Sequence, residues 1–169
     1  MKRPPKNKKQ LDIRAHHLLC LHGFQGLGYD EEFVRNMAAI YRRLCEEEGL
    51  TIKVVDTADD ICECCPHVMP DCCGRELPTG RSLSEELDRR VLAHLDIEAG
   101  EVFDKDEILS LVIEKISPED IAVICRGCEW QPFEYCSEGL RKRVLEKESG
   151  KKAPPQEVNS GRGGDGERG

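Results

Sequence analysis

The chain has 169 residues, of which 38% are hydrophobic and 34% are charged, enough for one domain with a modest core. Its formal net charge of −8 argues against nucleic acid as a partner. No stretch approaches the roughly 18 apolar residues that a membrane span needs, and residues 11–24 are too polar for a signal peptide. We therefore expect a cytoplasmic protein with no membrane contact, in which clustered cysteines stay reduced and act as ligands.

The two ends of the chain differ in composition from the part between them. Residues 1–10 are basic and residues 149–169 are rich in glycine, proline and charge, so we expect both to be disordered tails. A single cysteine-rich domain is predicted over residues 11–148. Its first helix is expected to be capped by Asp12 and to end near Phe24.

Later elements are predicted where a capping residue precedes apolar residues at helical spacing. One short segment instead has the β-branched composition of a strand. In chain order the helices are expected over 31–48, over 83–96, after Asp104, after Ser117 and over 137–148, and the strand over 51–55. We therefore predict a mainly α fold with a short β element, a small helical domain with metal- or cluster-binding cysteine loops. Pairing of the strand with an unrecognised partner is left open.

Six of the ten cysteines repeat one spacing, C-x2-C-x7-C, at two places in the chain. Each copy begins with Ile-Cys, and prolines within or beside the copies argue for loops rather than continuous helix. Cysteines two residues apart can face one point, and the seven-residue excursion can return a third thiolate to it. The first triplet is Cys62, Cys65 and Cys73, and the second triplet is Cys125, Cys128 and Cys136.

Each triplet is one ligand short of a complete site. Zinc takes four nitrogen or sulfur ligands, and a cubane cluster takes four thiolates or three with an open position. The first predicted helix can supply the missing ligands, because His16 and His17 precede Cys20 by one helical turn and share its face. These three residues are therefore predicted to act with the triplets.

Three arrangements follow, in this order of preference. Each triplet can bind separately, with Cys20 completing one site and a histidine or an outside ligand the other. Both triplets can instead surround one buried cluster, or the thiols can form structural disulfides. Cys64 and Cys72 each adjoin a triplet cysteine and point elsewhere, so we treat them as accessory, and we expect the isolated Cys45 to be a small buried apolar residue.

A family resemblance rests on the stretches RAHHLLCLHGFQGLGYDEEFVRNM, DDICECCPH and ICRGCEW. Together they resemble an uncharacterised bacterial and archaeal family, a domain of unknown function described as iron–sulfur-binding, over roughly residues 11–145. Ala15 stands where that family has proline, a difference that concerns helix initiation more than chemistry. The resemblance implies as ligands Cys20, Cys62, Cys65, Cys73, Cys125, Cys128 and Cys136, with His16 and His17 beside them.

The leading functional hypothesis is an iron–sulfur protein in electron transfer or redox sensing, with a redox protein as partner. Pro66 follows Cys65, as a proline follows a ligand cysteine in bacterial ferredoxins. The alternative is a zinc-stabilised structural or interaction module without redox activity. The sequence leaves open whether the chain is an enzyme, since no nucleophile–base pair or cofactor motif is specific in it.

Overall fold

A computed structural model describes residues 9–70 and 73–150 of the chain. Within these residues the fold is mainly helical with a small sheet, which confirms the predicted class. The two predicted tails lie largely outside the described residues. In chain order the elements are β1 (Gln10–Arg14), α1 (Ala15–Gly23), α2 (Glu31–Glu46), β2 (Thr51–Val55), α3 (Leu83–Leu95), β3 (Val102–Asp104), α4 (Lys105–Lys115), α5 (Asp120–Ile124) and α6 (Tyr135–Ser149). No helix in this part of the chain is both long and apolar enough to cross a membrane.

The predicted start of the first helix was wrong, because the chain forms strand β1 before α1 begins at Ala15. Leu11 and Ile13 are buried and alternate with Asp12, which is the two-residue period of a strand. Asp12 does not cap a helix. Its backbone amide instead donates a hydrogen bond to the side chain of Asp60, at 2.8 Å.

The predicted strand at 51–55 is β2, the central strand of three. It pairs with β1 in parallel, with Ile13 opposite Val54, and with β3 in antiparallel fashion, with Ile52 opposite Phe103. Parallel strands need a long crossover, which α1 and α2 provide here. The sheet partners escaped prediction because five- and three-residue strands carry little periodic signal of their own.

Three predicted helix caps are present. The side chain of Asp30 accepts from Phe33 N at 2.8 Å, and the side chains of Ser82 and Asp104 accept in the same way at the starts of α3 and α4. The short helix starts later than its predicted cap, Ser117. Ser117 Oγ accepts from Asp120 N at 3.2 Å, as a cap does, and the Asp120 carboxylate accepts from Ser117 N at 2.8 Å, but α5 itself spans Asp120–Ile124.

Helix α1 lies in the middle of the domain, packed against α3, α4 and α6. Leu18 and Leu19 are fully buried, and residues on every side of this helix contribute to the core. At its end α1 approaches α6 with backbone against backbone, because Gly23 and Gly139 carry no side chains there. A Cβ on Gly23 would lie 2.6 Å from Tyr135 O, so only glycine permits this distance. The crossing places Cys20 beside the start of α6.

Candidate functional site

One cavity of about 100 Å³ brings the predicted ligands together. It opens between α1, the glycine-containing segment after it and the two cysteine loops. Of the nine residues predicted as ligands, all but Cys125 line its wall, and Cys125 is buried near Cys20 and Cys128. The lining ligand residues are His16, His17, Cys20, Cys62, Cys65, Cys73, Cys128 and Cys136.

The two C-x2-C pairs fold in the same way. Cys65 N donates to Cys62 O at 3.0 Å, and Cys128 N donates to Cys125 O at 2.9 Å. Each second cysteine then accepts, through its carbonyl, from the amide three residues later at 3.1 Å. The repeat in the sequence is therefore a repeat of local structure, and both loops present their thiols from a hydrogen-bonded turn.

Cys20 lies with the second triplet. Its thiol hydrogen-bonds to Cys136, and this contact followed by burial raises the pKa of Cys20 well above its ordinary value. Burial, followed by the nearby Cys20 and Cys128, raises the pKa of Cys125 to about 12. Helix α1, the loop after α5 and the first turn of α6 thus supply four neighbouring thiols. Metal binding there must displace thiol protons.

The first triplet is divided between two neighbourhoods. Cys62 lies beside Asp59, which accepts from Cys62 N at 2.8 Å. Burial, followed by the Asp59 charge, raises the pKa of the Cys62 thiol to about 12. Cys65 and Cys73 instead lie near the Arg75 guanidinium, whose Nε donates to Cys73 Sγ at 3.5 Å. The three thiols line one cavity from two sides.

Both predicted histidines are held by buried carboxylates. His16 Nδ1 lies 2.7 Å from Asp88 Oδ1, and His17 Nδ1 lies 2.7 Å from Asp59 Oδ2. Because a carboxylate accepts, the Nδ1 of each ring faces its partner as the donor, and each Nε2 is directed away from that partner. His16 Nε2 is buried and has no hydrogen-bond partner. Burial, followed by the adjacent His17, lowers the pKa of His16 to about 4, which keeps this imidazole neutral.

Hydrogen bonds and an ion pair from Arg14 hold these two buried carboxylates in position. Arg14 Nε donates to Asp88 Oδ2 at 2.8 Å, and Arg14 N donates to Asp59 Oδ2 at 2.6 Å. Asp59 and Asp88 are both completely buried. Arg14 therefore contacts both carboxylates, Asp88 through its guanidinium and Asp59 through its backbone amide. The end of β1 and the start of α1 are joined through it to α3 and to the loop that carries Cys62.

Arg75 supplies positive charge on the opposite side of the cavity. Besides Cys73, it donates to Tyr29 Oη at 3.0 Å and to Ser84 Oγ at 3.2 Å. Burial alone would raise the pKa of Cys73, but hydrogen bonds from Arg75 and Ser84 outweigh it and lower this pKa. Cys73 is therefore the thiol in this cavity that most readily forms a thiolate without metal.

The nine cysteines in the described part of the chain are all free thiols, so the disulfide arrangement has no support there. Cys64 is half-buried in a short 3₁₀ turn outside the cavity wall, in keeping with an accessory role. Cys72 lies outside the described residues. Cys45 is exposed, so its interpretation as a buried apolar residue was wrong. It lies near the end of α2, off the buried face that Tyr41 and Leu44 form.

Sequence reasoning missed the residues that orient the ligands. Asp59 lies in an acidic stretch before the first triplet, and no role was predicted for it. Asp88 carried a signal that was overlooked, because it shares the buried face of α3 with Ser84, Val91 and Leu95. A charged residue on a core-facing stripe is rarely left unpaired. Arg75 offered no such local signal.

Comparison with known proteins yields a match to a protein family. A family model described as "Protein of unknown function (DUF1284)" matches residues 28–136, more than half of the chain. The matched segment contains both triplets and begins after α1. No curated protein and no solved structure matches the chain.

Proposed function

Since this chain belongs to the DUF1284 family, whose function is unknown, we propose a function from the geometry of its cavity. We propose that the protein binds an iron–sulfur cluster through Cys20, Cys125, Cys128 and Cys136. The cluster would accept one electron from a reduced partner protein and pass it to an oxidised one, in electron transfer or redox sensing. Four thiolates are the full ligand set of a [4Fe–4S] or [2Fe–2S] cluster.

The position of Cys20 beside Cys136 carries this proposal, because the two line one cavity next to the close crossing of α1 and α6. The second triplet lacks one ligand, and the thiol that reaches it comes from a helix far away in sequence. Cys20 also lies close enough to Cys125 and Cys128 to raise the pKa of both thiols, after burial as the larger cause. The proposed set of four thiolates would therefore come from three separate segments, an arrangement that small apolar residues alone would not require.

The size of the cavity favours a cluster over a single ion. A space of about 100 Å³ exceeds what one water molecule requires several-fold. A zinc ion held by four thiolates at about 2.3 Å would leave much of this volume unfilled. An inorganic cluster of several iron and sulfide atoms would fill more of this volume. Buried surroundings of this kind also tune the reduction potential of a cluster.

A partner protein would meet the cluster at the cysteine loops. Phe133 lies between two ligand cysteines, is 56% exposed and stacks on Tyr135, which lines the cavity. Leu27 lines the cavity and is 54% exposed, and Met69 lies 51% exposed on the loop of the first triplet. Exposed apolar side chains on these segments offer a surface for a transient redox complex.

The test is anaerobic purification or reconstitution, followed by iron and acid-labile sulfide analysis and absorption spectroscopy. We expect a broad band at about 400 nm that dithionite bleaches. Cys20→Ser and Cys136→Ser should each lose most of the bound iron and sulfide. Cys45→Ser is the matched control, because Cys45 is an exposed thiol at the end of α2. Its cluster content should equal that of the wild type.

Two results would overturn the proposal. Colourless protein holding one zinc per chain, with that zinc lost in Cys20→Ser and Cys136→Ser, would make the four thiols a structural zinc site. Retention of the full cluster in Cys20→Ser would remove Cys20 from the ligand set. Cys62→Ser distinguishes the proposed cluster from a single cluster that spans both triplets. The proposed cluster should survive this change, whereas the spanning cluster should not.

A further inference from the structure

A second group of ligand atoms lies on the cavity wall away from the four thiols. Single ligand atoms from His17, Asp59 and Cys62 lie within 4.8 Å of one another. The ring of His16 adjoins that of His17, with centroids 4.3 Å apart. All three of His16, His17 and Cys62 line the cavity. None of them belongs to the ligand set of the proposed cluster.

Asp59 acts in this group as an orienting residue. Its Oδ1 accepts from Cys62 N, and its Oδ2 accepts from Arg14 N and from His17 Nδ1. Both oxygens are thus engaged. In metal sites the imidazole nitrogen that faces away from the metal commonly donates to a carboxylate, which fixes the ring and strengthens the ligand. Asp59 holds His17 in this way, and Asp88 holds His16 in the same way at 2.7 Å.

The unpartnered nitrogen of His16 points to a bound cation. This side chain is only 5% exposed, its Nδ1 is occupied by Asp88, and its Nε2 is buried without a partner. A buried acceptor without a donor costs free energy that a protein normally avoids. A metal ion in the cavity would take up this lone pair. The same ion would take up the Nε2 of His17 and the Cys62 sulfur.

We propose that His16, His17 and Cys62 bind a single divalent metal ion of the Zn²⁺ or Fe²⁺ class, separate from the iron–sulfur cluster. Two imidazoles and one thiolate suit such borderline cations better than Ca²⁺ or Mg²⁺, which take oxygen ligands. Three protein ligands leave a fourth position open toward the cavity. Zinc sites with three protein ligands and one exchangeable position are the catalytic kind, whereas structural zinc sites have four protein ligands.

The inference stands independently of the proposed cluster, because the two ligand sets share no residue. Its test uses Co²⁺ as a spectroscopic probe, added anaerobically to protein whose cluster has been reconstituted. We expect one Co²⁺ per chain, with a thiolate-to-cobalt charge-transfer band and the visible bands of a tetrahedral site. His16→Gln, His17→Gln and Cys62→Ser should each weaken Co²⁺ binding by about 10-fold or more. Cys62→Ser should also abolish the charge-transfer band.

The matched control is His94→Gln, which changes an exposed histidine on α3 and should leave Co²⁺ binding unaltered. Iron and sulfide content, measured on the same samples, keeps the two proposals distinguishable. Variants of reduced stability can still be tested by measuring the melting temperature with and without Co²⁺. A ligand raises the melting temperature only of a protein that binds it. The wild type should gain in melting temperature, and Cys62→Ser should gain less at the same Co²⁺ concentration.

Three outcomes would overturn the proposal. One is a wild-type protein that binds no Co²⁺ once its cluster is in place. Another is loss of the cluster itself in His17→Gln, which would make the histidine part of the cluster site. The third is a Co²⁺ site that survives His16→Gln and His17→Gln but is lost in Cys65→Ser, which would assign the ion to the first triplet alone.

Discussion

Gly23 and Gly139 lie in backbone contact where α1 crosses α6, and a Cβ on Gly139 would come 2.8 Å from the Cα of Gly23. Cys20 lies three residues before Gly23, and Cys136 lies three residues before Gly139. Each thiol is thus one helical turn from the same crossing point. The two glycines set the distance at which the Cys20 and Cys136 thiols meet.

Gly139→Ala should therefore separate the helices and weaken the cluster site. Alanine ordinarily stabilises a helix relative to glycine by up to about 1 kcal/mol. At this position its methyl group would overlap the carbonyl of His22, and overpacking of this kind costs about 1–3 kcal/mol. We expect lower stability in urea unfolding together with reduced iron content after reconstitution. Glu138→Ala, at the exposed neighbouring position, should keep both near wild type.

The loop of the second triplet is tied to α3 by Arg90. Its Nη1 donates to Ile124 O at 3.0 Å and to Arg126 O at 3.1 Å, the carbonyls on either side of Cys125. Arg90→Gln should lower stability by about 1–2 kcal/mol through these lost hydrogen bonds. It should also speed the loss of iron to a chelator, because Cys125 would be less firmly held.

Arg89→Gln is the control for this loop prediction. Arg89 is 68% exposed and contacts the Glu86 carboxylate, as Arg90 also does, but its hydrogen bonds do not reach the cysteine loop. Equal rates of iron loss in the Arg89 and Arg90 variants would show that Arg90 does not position Cys125.

Neutralising Asp88 should cause a large loss in the free energy of unfolding. It accepts from Arg14 at 2.8 Å and from both the amide and the Nδ1 of His16, all in a fully buried environment. Asp88→Asn would leave the Arg14 guanidinium without its carboxylate. Breaking a buried ion pair on one side costs about 3–5 kcal/mol. Urea unfolding of metal-free protein should show this loss, whereas Asp106→Asn, on the exposed first turn of α4, should not.

Cys73 should be the most reactive cavity thiol in metal-free protein. Burial raises the pKa of Cys65, whereas hydrogen bonds from Arg75 and Ser84 lower that of Cys73 despite burial. A lowered pKa increases the thiolate fraction at neutral pH and shifts the pH profile of alkylation to lower pH. We expect iodoacetamide to modify Cys73 first, as followed by peptide mass spectrometry.

Arg75→Gln should move this alkylation profile to higher pH and slow the reaction at neutral pH. Arg81→Gln, an exposed arginine before α3, serves as the control and should leave the profile unchanged. Modification of Cys65 ahead of Cys73 in the wild type would contradict the assigned electrostatic role of Arg75.

Local signals in the sequence predicted most of the helices. Capping by Asp30, Ser82 and Asp104 is a matter of residues three or fewer positions apart, so it could be recognised without the fold. Strand β1 could not, because five residues acquire strand geometry only when β2 lies alongside them. A helix beginning at Asp12 was therefore a reasonable but wrong prediction.

The amino-acid sequence was sufficient to select the candidate ligands and to predict that the cysteines of each triplet lie on a loop. The repeated spacing is a local property, and both copies form the same hydrogen-bonded turn. Which triplet each candidate ligand of α1 approaches depends on tertiary packing. Cys20 joins the second triplet because Gly23 and Gly139 let α1 and α6 approach. His17 joins Cys62 because Asp59 binds both. The spacing of cysteines along the chain determines the conformation within one loop. The contact between separate segments depends on packing across the whole domain.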